Sequence, residues 1–391
     1  MPRARKGASI QSKIGMLIYG QQGTWKSSMC LEFAKFKRED GKPFRLLYID
    51  VESGSVDDYI DGLSEQGVDP DNIYIVYTQS LGEVREYIKK ATLNEDFYEL
   101  DESGNETEIV VLDADGEPFR ADAIVVDGVS VLYIATQQGL IEFSQKRALV
   151  RAKKNELTGM EKIVATSEVG LEINDWGKLV YKGQDFILDL NASGKHWAIT
   201  ARETEEKERV KMADGSVSNV GTGRAMPEGF KNMGYNAKTV LRMIMTDDGE
   251  VQAIVESKDR TLVHKQNALL ENPTLMDWEA VIERNKNRKE FTLANGLGES
   301  VKAEMRIYEK EIASLELEDE APPPFDADEP AVTTANQLQA NIATKIKGID
   351  AAKKRTLKTQ LEKAGLPHKP SEFTGITDVD KLEQILAIVS K

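Results

Sequence analysis

Gly20-Gln21-Gln22-Gly23-Thr24-Trp25-Lys26-Ser27-Ser28 is the stretch on which the fold turns. Before it, Ile14–Tyr19 is an apolar run that predicts a buried strand; after it, Ser27 to Lys37 reads as a helix. Strand, glycine-containing loop and helix in that order are the setting in which a loop binds phosphate. Backbone N–H groups of the loop and of the first helical turn then point at phosphate oxygens. Lys26 would reach the β- and γ-phosphates, and the Ser27 hydroxyl would ligate Mg²⁺. One position departs from the pattern G-x-x-x-x-G-K-[ST], which asks for glycine where Trp25 stands. Glycine takes a positive φ without steric cost, so Trp25 bears on the loop's conformation and on turnover. Gly23 supplies a flexible point nearby. The alternative is an ordinary strand–turn–helix in which Lys26 and Ser27 are incidental.

Working outward, Arg45–Asp50, Asn72–Thr78, Ala123–Val126 and His196–Ala201 are further strand candidates, with a helix over Leu81–Leu93. Strands alternating with helices predict an α/β fold with a mostly parallel central sheet covered on both faces. Two of these strands end in acids. Ala123-Ile-Val-Val-Asp127 places Asp127 to hold the Mg²⁺ shell through Ser27 or water. In Leu46-Leu-Tyr-Ile-Asp50-Val-Glu52, Glu52 lies just past the strand end, where it could orient and activate an attacking water. Either acid alone reads as a strand-end turn residue. With the loop they form a constellation.

The 391 residues predict two or three domains. Cys30 is the one cysteine, so a disulfide framework and a cysteine zinc cluster are excluded. His196, His264 and His368 lie far apart and show no HExxH spacing. No run of 18 apolar residues suggests a membrane span, and the basic N-terminus lacks the apolar core of a secretory signal. The expectation is a cytoplasmic protein that keeps away from membranes. The net charge of −15 is concentrated: residues 94–122 carry −10 and residues 301–334 carry −7, leaving +2 on the rest. A basic surface for nucleic acid is therefore compatible with the composition.

The expected organisation is a basic arm over 1–12 and a core over 13–295 with an acidic hairpin insertion at about 97–120. An acidic, proline-containing linker follows over 296–333, then a small helical domain over 334–391. The arm's Arg3, Arg5 and Lys6 read as a phosphate-contacting arm or a solvated tail. The last domain carries +4, with Lys353, Lys354, Arg355 and Lys358 clustered; it reads as a partner-binding, DNA-binding or capping unit.

The order of these pieces resembles the RecA-like recombinase core, and within it a group of phage-encoded single-strand annealing and recombination proteins. The stretches Asp175-Trp176-Gly177-Lys178, Lys258-Asp259-Arg260-Thr261 and Glu271-Asn272-Pro273…Trp278 carry that closer likeness, which covers about residues 14–290. The resemblance implies an ATPase using ATP and Mg²⁺, with Gly20 to Ser28 around the nucleotide and Thr200 sensing the γ-phosphate beside Arg202. Lys258 and Arg260 would act on the ATP of a neighbouring protomer. It further implies two DNA loops. Residues 151–178 would supply Lys153, Lys154 and Lys162; residues 203–229 would supply Lys207, Arg209, Lys211 and Arg224 and become ordered only on binding. The partners implied are single-stranded DNA, further copies in a filament or ring, and a single-strand-binding protein; a phage product would work in the host cytoplasm. The rival functions are a ring-shaped DNA motor (helicase or packaging ATPase) and a nucleotide-binding assembly protein in which Trp25 has weakened hydrolysis.

Overall fold

A computed structural model of the chain describes residues 11–54, 56–167, 170–171, 173–212, 216–256, 259–285, 295–302, 342, 357, 359–367 and 379–389. The chain divides into two units, Met1–Leu297 and Gly298–Lys391. The first unit opens with strand β1 (Gly15–Gly20) and helix α1 (Lys26–Leu31), which tightens into a 3₁₀ turn over Glu32–Lys35. Next come β2 (Leu46–Asp50), α2 (Asp57–Glu65), β3 (Ile73–Tyr77) and α3 (Leu81–Leu93). The hairpin β4 (Tyr98–Leu100) and β5 (Glu106–Val110) lies in the acidic stretch. Strand β6 (Ala123–Asp127) leads into α4 (Val129–Lys154), α5 (Gly159–Ser167) and α6 (Ile173–Ala192). Strands β7 (His196–Lys211) and β8 (Val217–Pro227), then α7 (Met233–Asn236), β9 (Thr239–Met245), β10 (Val251–Val255), β11 (Leu269–Glu271) and α8 (Glu279–Glu283) complete the unit.

The main sheet runs β11-β10-β9-β1-β7-β6-β2-β3, with β8 joined to β7 alone. From β3 to β9 every pairing on this path is parallel; β10 and β11 add an antiparallel edge. Strands β1, β2 and β6 are buried at every residue, which is why they read as unbroken apolar runs rather than alternating ones. Their alternate side chains feed two cores. Leu17, Leu47, Ile49, Ile124 and Ile199 pack with Val84, Ile88, Leu132, Phe186 and Leu190 on one face. Met16, Ile18, Leu46, Val125 and Ala198 pack with Phe33, Phe36, Leu275 and Trp278 on the other. This is the α/β architecture the strand–helix rhythm predicts.

Two segments differ from the sequence expectation. Residues 151–178 are mostly helical where described: the last turn of α4, all of α5 and the start of α6, joined by a short turn over 155–158. Residues 203–211 and 217–227 form an antiparallel ribbon in which β7 runs on past the sheet and pairs with β8. The described residues there are paired strands rather than loop. In the second unit, Ile342, Leu357, Leu361, Leu366, Leu382 and Ile385 share a small core, partly on the helix Val379–Val389. Residues 1–10 of the basic arm, residues 303–333 of the linker, and Lys353, Lys354, Arg355 and Lys358 lie outside the described residues.

Candidate active site

Parallel register brings the functional residues to one end of the sheet. Gly20 of β1 stands opposite Arg202 of β7, Ile18 opposite Thr200, and Asp50 of β2 opposite Asp127 of β6. The carboxyl ends of such strands are where open α/β sheets bind ligands. A cleft of about 530 Å³ lies there, lined by Gly20 to Ser28, Glu52, Asp127, Thr200 and Arg202 among others.

The loop is shaped by close approach at its start. A Cβ on Gly20 would sit 2.2 Å from the Met243 carbonyl oxygen of β9. At its end, Trp25 adopts φ 59° and ψ 27°, the left-handed conformation that suits glycine. Non-glycine residues hold it at a cost of about 1–2 kcal/mol. Its indole is 62% exposed, so the loop keeps its path and the side chain is turned outward. The Trp25 carbonyl accepts hydrogen bonds from the Met29 N–H and the Ser28 hydroxyl, both at 3.0 Å. Lys26 donates to the Gln21 carbonyl at 2.6 Å and to Thr24 Oγ1 at 3.3 Å. Burial pulls the Lys26 ammonium below its ordinary pKa, against the opposing pull of Asp127 and Glu52.

Asp127 is buried and fully engaged. Its carboxylate accepts from the Tyr48 hydroxyl at 2.7 Å and from the Thr200 hydroxyl. Thr200 Oγ1 in turn accepts the Gly128 N–H at 2.8 Å. Burial and the neighbouring Asp127 push the Tyr48 hydroxyl well above its usual pKa, which keeps it a donor. Sequence reading missed Tyr48 because a tyrosine within an apolar strand looks like core.

Asp50 was also missed in its role. Its buried carboxylate accepts the N–H groups of Glu52 (2.8 Å), Ser53 (3.0 Å) and Gly54 (2.8 Å), folding the turn that presents Glu52. An aspartate two residues before a candidate base is the sequence signal, since such side chains bond the backbone two residues on. Glu52 Oε1 accepts from Arg202 Nη2 at 2.9 Å and Nε at 3.2 Å. Both side chains are partly exposed, and pairs of that kind contribute about 0–1 kcal/mol. Gly128 makes room for Glu52: a Cβ there would lie 2.6 Å from Glu52 Cγ, and its φ is +96°.

The donor set suits a nucleotide triphosphate with a hard divalent cation. The Ser27 hydroxyl makes no hydrogen bond among the described residues and lines the cleft together with Asp127. One hydroxyl and one carboxylate are what a cation needs when phosphates and water complete its shell. Among the described residues no cluster of three or more His, Cys, Asp or Glu could cage a metal alone, and no helix is long and apolar enough to cross a membrane.

The basic candidates fall into two places. Lys153 and Lys154 end α4; Lys153 and Lys162 of α5 line one open pocket with Leu149, Glu156, Leu157 and Thr158. Lys207, Arg209 and Lys211 occupy alternate positions of β7, so they share one side of the ribbon. Their cross-strand partners are Gly221, Asn219 and Val217, with the Glu205 carboxylate lying against Gly221. Glu206 and Glu208 take the other side. Arg224 lies in a bulge, 3.9 Å from Glu206. Lys258 lies outside the described residues, and Arg260 does not line the cleft of its own chain; it donates to the Tyr235 carbonyl at 3.0 Å.

A scan of protein-family models finds no match for this chain, and a search of curated proteins finds none either. Among solved structures, a KaiC-like protein from the hyperthermophilic archaeon Pyrococcus horikoshii is similar over 68% of this chain and 99% of that one. The identity is 12% and the TM-score 0.33.

Proposed function

We propose that this chain is a RecA-like ATPase that binds single-stranded DNA and works as an oligomer. The observation that carries the reading is the meeting of the phosphate loop, Glu52, Asp127 and Thr200 on one cleft at the strand ends. Lys26 exchanges the Gln21 carbonyl for phosphate oxygens and brings a fixed positive charge to the developing negative one. A Mg²⁺ held by the Ser27 hydroxyl, and through water by Asp127, spreads phosphate charge when bound. Thr200, locked to Asp127, fixes that carboxylate's orientation. Glu52 accepts the proton of the attacking water once it is free to do so. Lys258 and Arg260 are the cations a neighbouring protomer would supply, which makes assembly part of the active site.

The DNA reading is supported by the ribbon. The alternation along β7 separates Lys207, Arg209 and Lys211 from Glu206 and Glu208; of the acids at the same odd positions, Glu203 is paired with Arg242 and Glu205 accepts the Gly223 N–H. Annealing or strand exchange is favoured over a translocating motor by the resemblance noted in the sequence.

The test is steady-state ATP hydrolysis by the wild type and by Lys26→Ala, with and without single-stranded DNA, at two salt concentrations. We expect DNA-stimulated turnover that weakens with salt and falls at least about a hundredfold in Lys26→Ala. Absence of turnover under every condition, with nucleotide still bound, would leave the assembly-protein reading in its place.

A further inference from the structure

Arg202 stands where the ribbon leaves the sheet. Its N–H donates to the Ser130 hydroxyl at 2.9 Å, and its carbonyl accepts the Glu228 N–H at 2.8 Å. The backbone at this point is therefore tied both to the first turn of α4 and to the returning end of the ribbon. Its side chain reaches back over the cleft to Glu52. Among the described residues, the Glu52 carboxylate receives hydrogen bonds from Arg202 alone. The turn behind it is fixed by Asp50, so what remains adjustable is the Arg202–Glu52 pair itself.

The same strand continues without interruption from Thr200 through Arg202 to Lys211. The bulge between Glu205 and Lys207 is braced by the Gly223 N–H on Glu205 at 2.8 Å and by the Thr222 hydroxyl on the Glu206 carbonyl at 3.2 Å. A ligand that pulls on the outer ribbon thus acts on the residue that holds the base.

We propose that Arg202 is a positioning residue that holds Glu52 in a resting pose, and that an anionic strand on the Lys207–Arg209–Lys211 side of the ribbon releases it. The inference rests on the ATPase reading above. It makes the coupling reciprocal: whatever frees Glu52 must also favour the strand.

The first measurement needs no nucleotide. Binding of labelled oligo-dT is followed by fluorescence anisotropy at fixed salt for the wild type, Arg202→Gln, Glu52→Gln, the double variant and Arg202→Lys. Removing either partner breaks the pair, so both single Gln variants should bind about fivefold more tightly or better, and the double variant no more tightly than either. Arg202→Lys, which keeps the pair, should stay near the wild type. A merely electrostatic role predicts the opposite sign for Arg202→Gln, because a positive charge is lost. The second measurement is kcat and KM for ATP. Arg202→Gln should raise the unstimulated kcat toward the DNA-stimulated value, with KM within about twofold and the stimulation ratio reduced. Weaker oligo-dT binding by Arg202→Gln, or unchanged affinity and unstimulated kcat in a wild type that both binds and hydrolyses, overturns the latch alone. A wild type that does neither overturns the ATPase reading, and the latch with it.

Discussion

Trp25 shows how a single position can break a sequence rule and keep the structure the rule describes. Its backbone adopts the left-handed conformation and its indole points to solvent. The departure was legible in the sequence; its harmlessness to the loop path was not, because only packing shows whether the side chain has somewhere to go. Trp25→Gly relieves the strain of about 1–2 kcal/mol but gives back about 0.5–1 kcal/mol in unfolded-chain entropy. Urea unfolding should find it slightly more stable than the wild type, and Trp25→Val clearly less stable. Thr200→Val should cost about 1–3 kcal/mol by the same measurement, since the buried Asp127 carboxylate loses a donor and the Gly128 N–H its acceptor. His196 carries a pH dependence. Burial, reinforced by Lys13, Lys238 and Lys195, holds its pKa well below the usual value, and its Nδ1 accepts the Ile14 N–H at 3.2 Å. The folded state therefore resists the proton that the unfolded state takes up near pH 6.5. Stability is unaffected above that value and falls below it, by up to about 1.4 kcal/mol per pH unit until the folded-state pKa is reached. Urea midpoints between pH 7.5 and 5.5 should show this slope, and His196→Gln should flatten it.

Elements were legible where their apolar residues form a continuous run or a clear helical period. Leu81–Leu93 is a helix to the residue expected: Ser80 caps it by accepting the Glu83 N–H, and Asn94 closes it in the left-handed conformation. The ribbon was missed because charges fill Glu203 to Lys211, and a half-exposed strand pair without a core face gives no hydrophobic period. The signal present was the alternation of sign itself. On the DNA reading, Lys207→Ala, Arg209→Ala and Lys211→Ala together should weaken oligo-dT binding and reduce the salt slope of log K by about two. Glu208→Ala, on the opposite side, should not weaken it. The 151–178 segment was misread for a different reason: its lysines drew attention to loops, whereas lysines in the last turn of α4 complement the helix dipole.

For the whole molecule, the strand ends that compose the cleft all belong to the unit ending at Leu297, and the unit from Gly298 has a separate small core. A chain ending at Leu297 should keep the cooperative unfolding transition and nucleotide affinity of the full protein, as calorimetry and titration with a nucleotide analogue would show. The two-faced core and the parallel order followed from strand–helix rhythm and apolar runs. The Arg202–Glu52 contact could not, because it joins residues 150 positions apart that only sheet register brings together.

Strand β7 serves two masters with one alternation. Thr200 and Arg202 face the cleft, Lys207, Arg209 and Lys211 alternate along the outer ribbon, and the one irregularity between the two stretches is the bulge at Glu205–Lys207. The bulge therefore sets how the outer charge pattern is phased against the cleft. Removing the bulge by deleting one residue would turn the outer charge pattern over relative to the cleft, whereas a change of two residues would keep the sides and shift the pattern along the strand. The joint, rather than the outer strand pair, is thus where a single-residue change would be felt at both ends of β7.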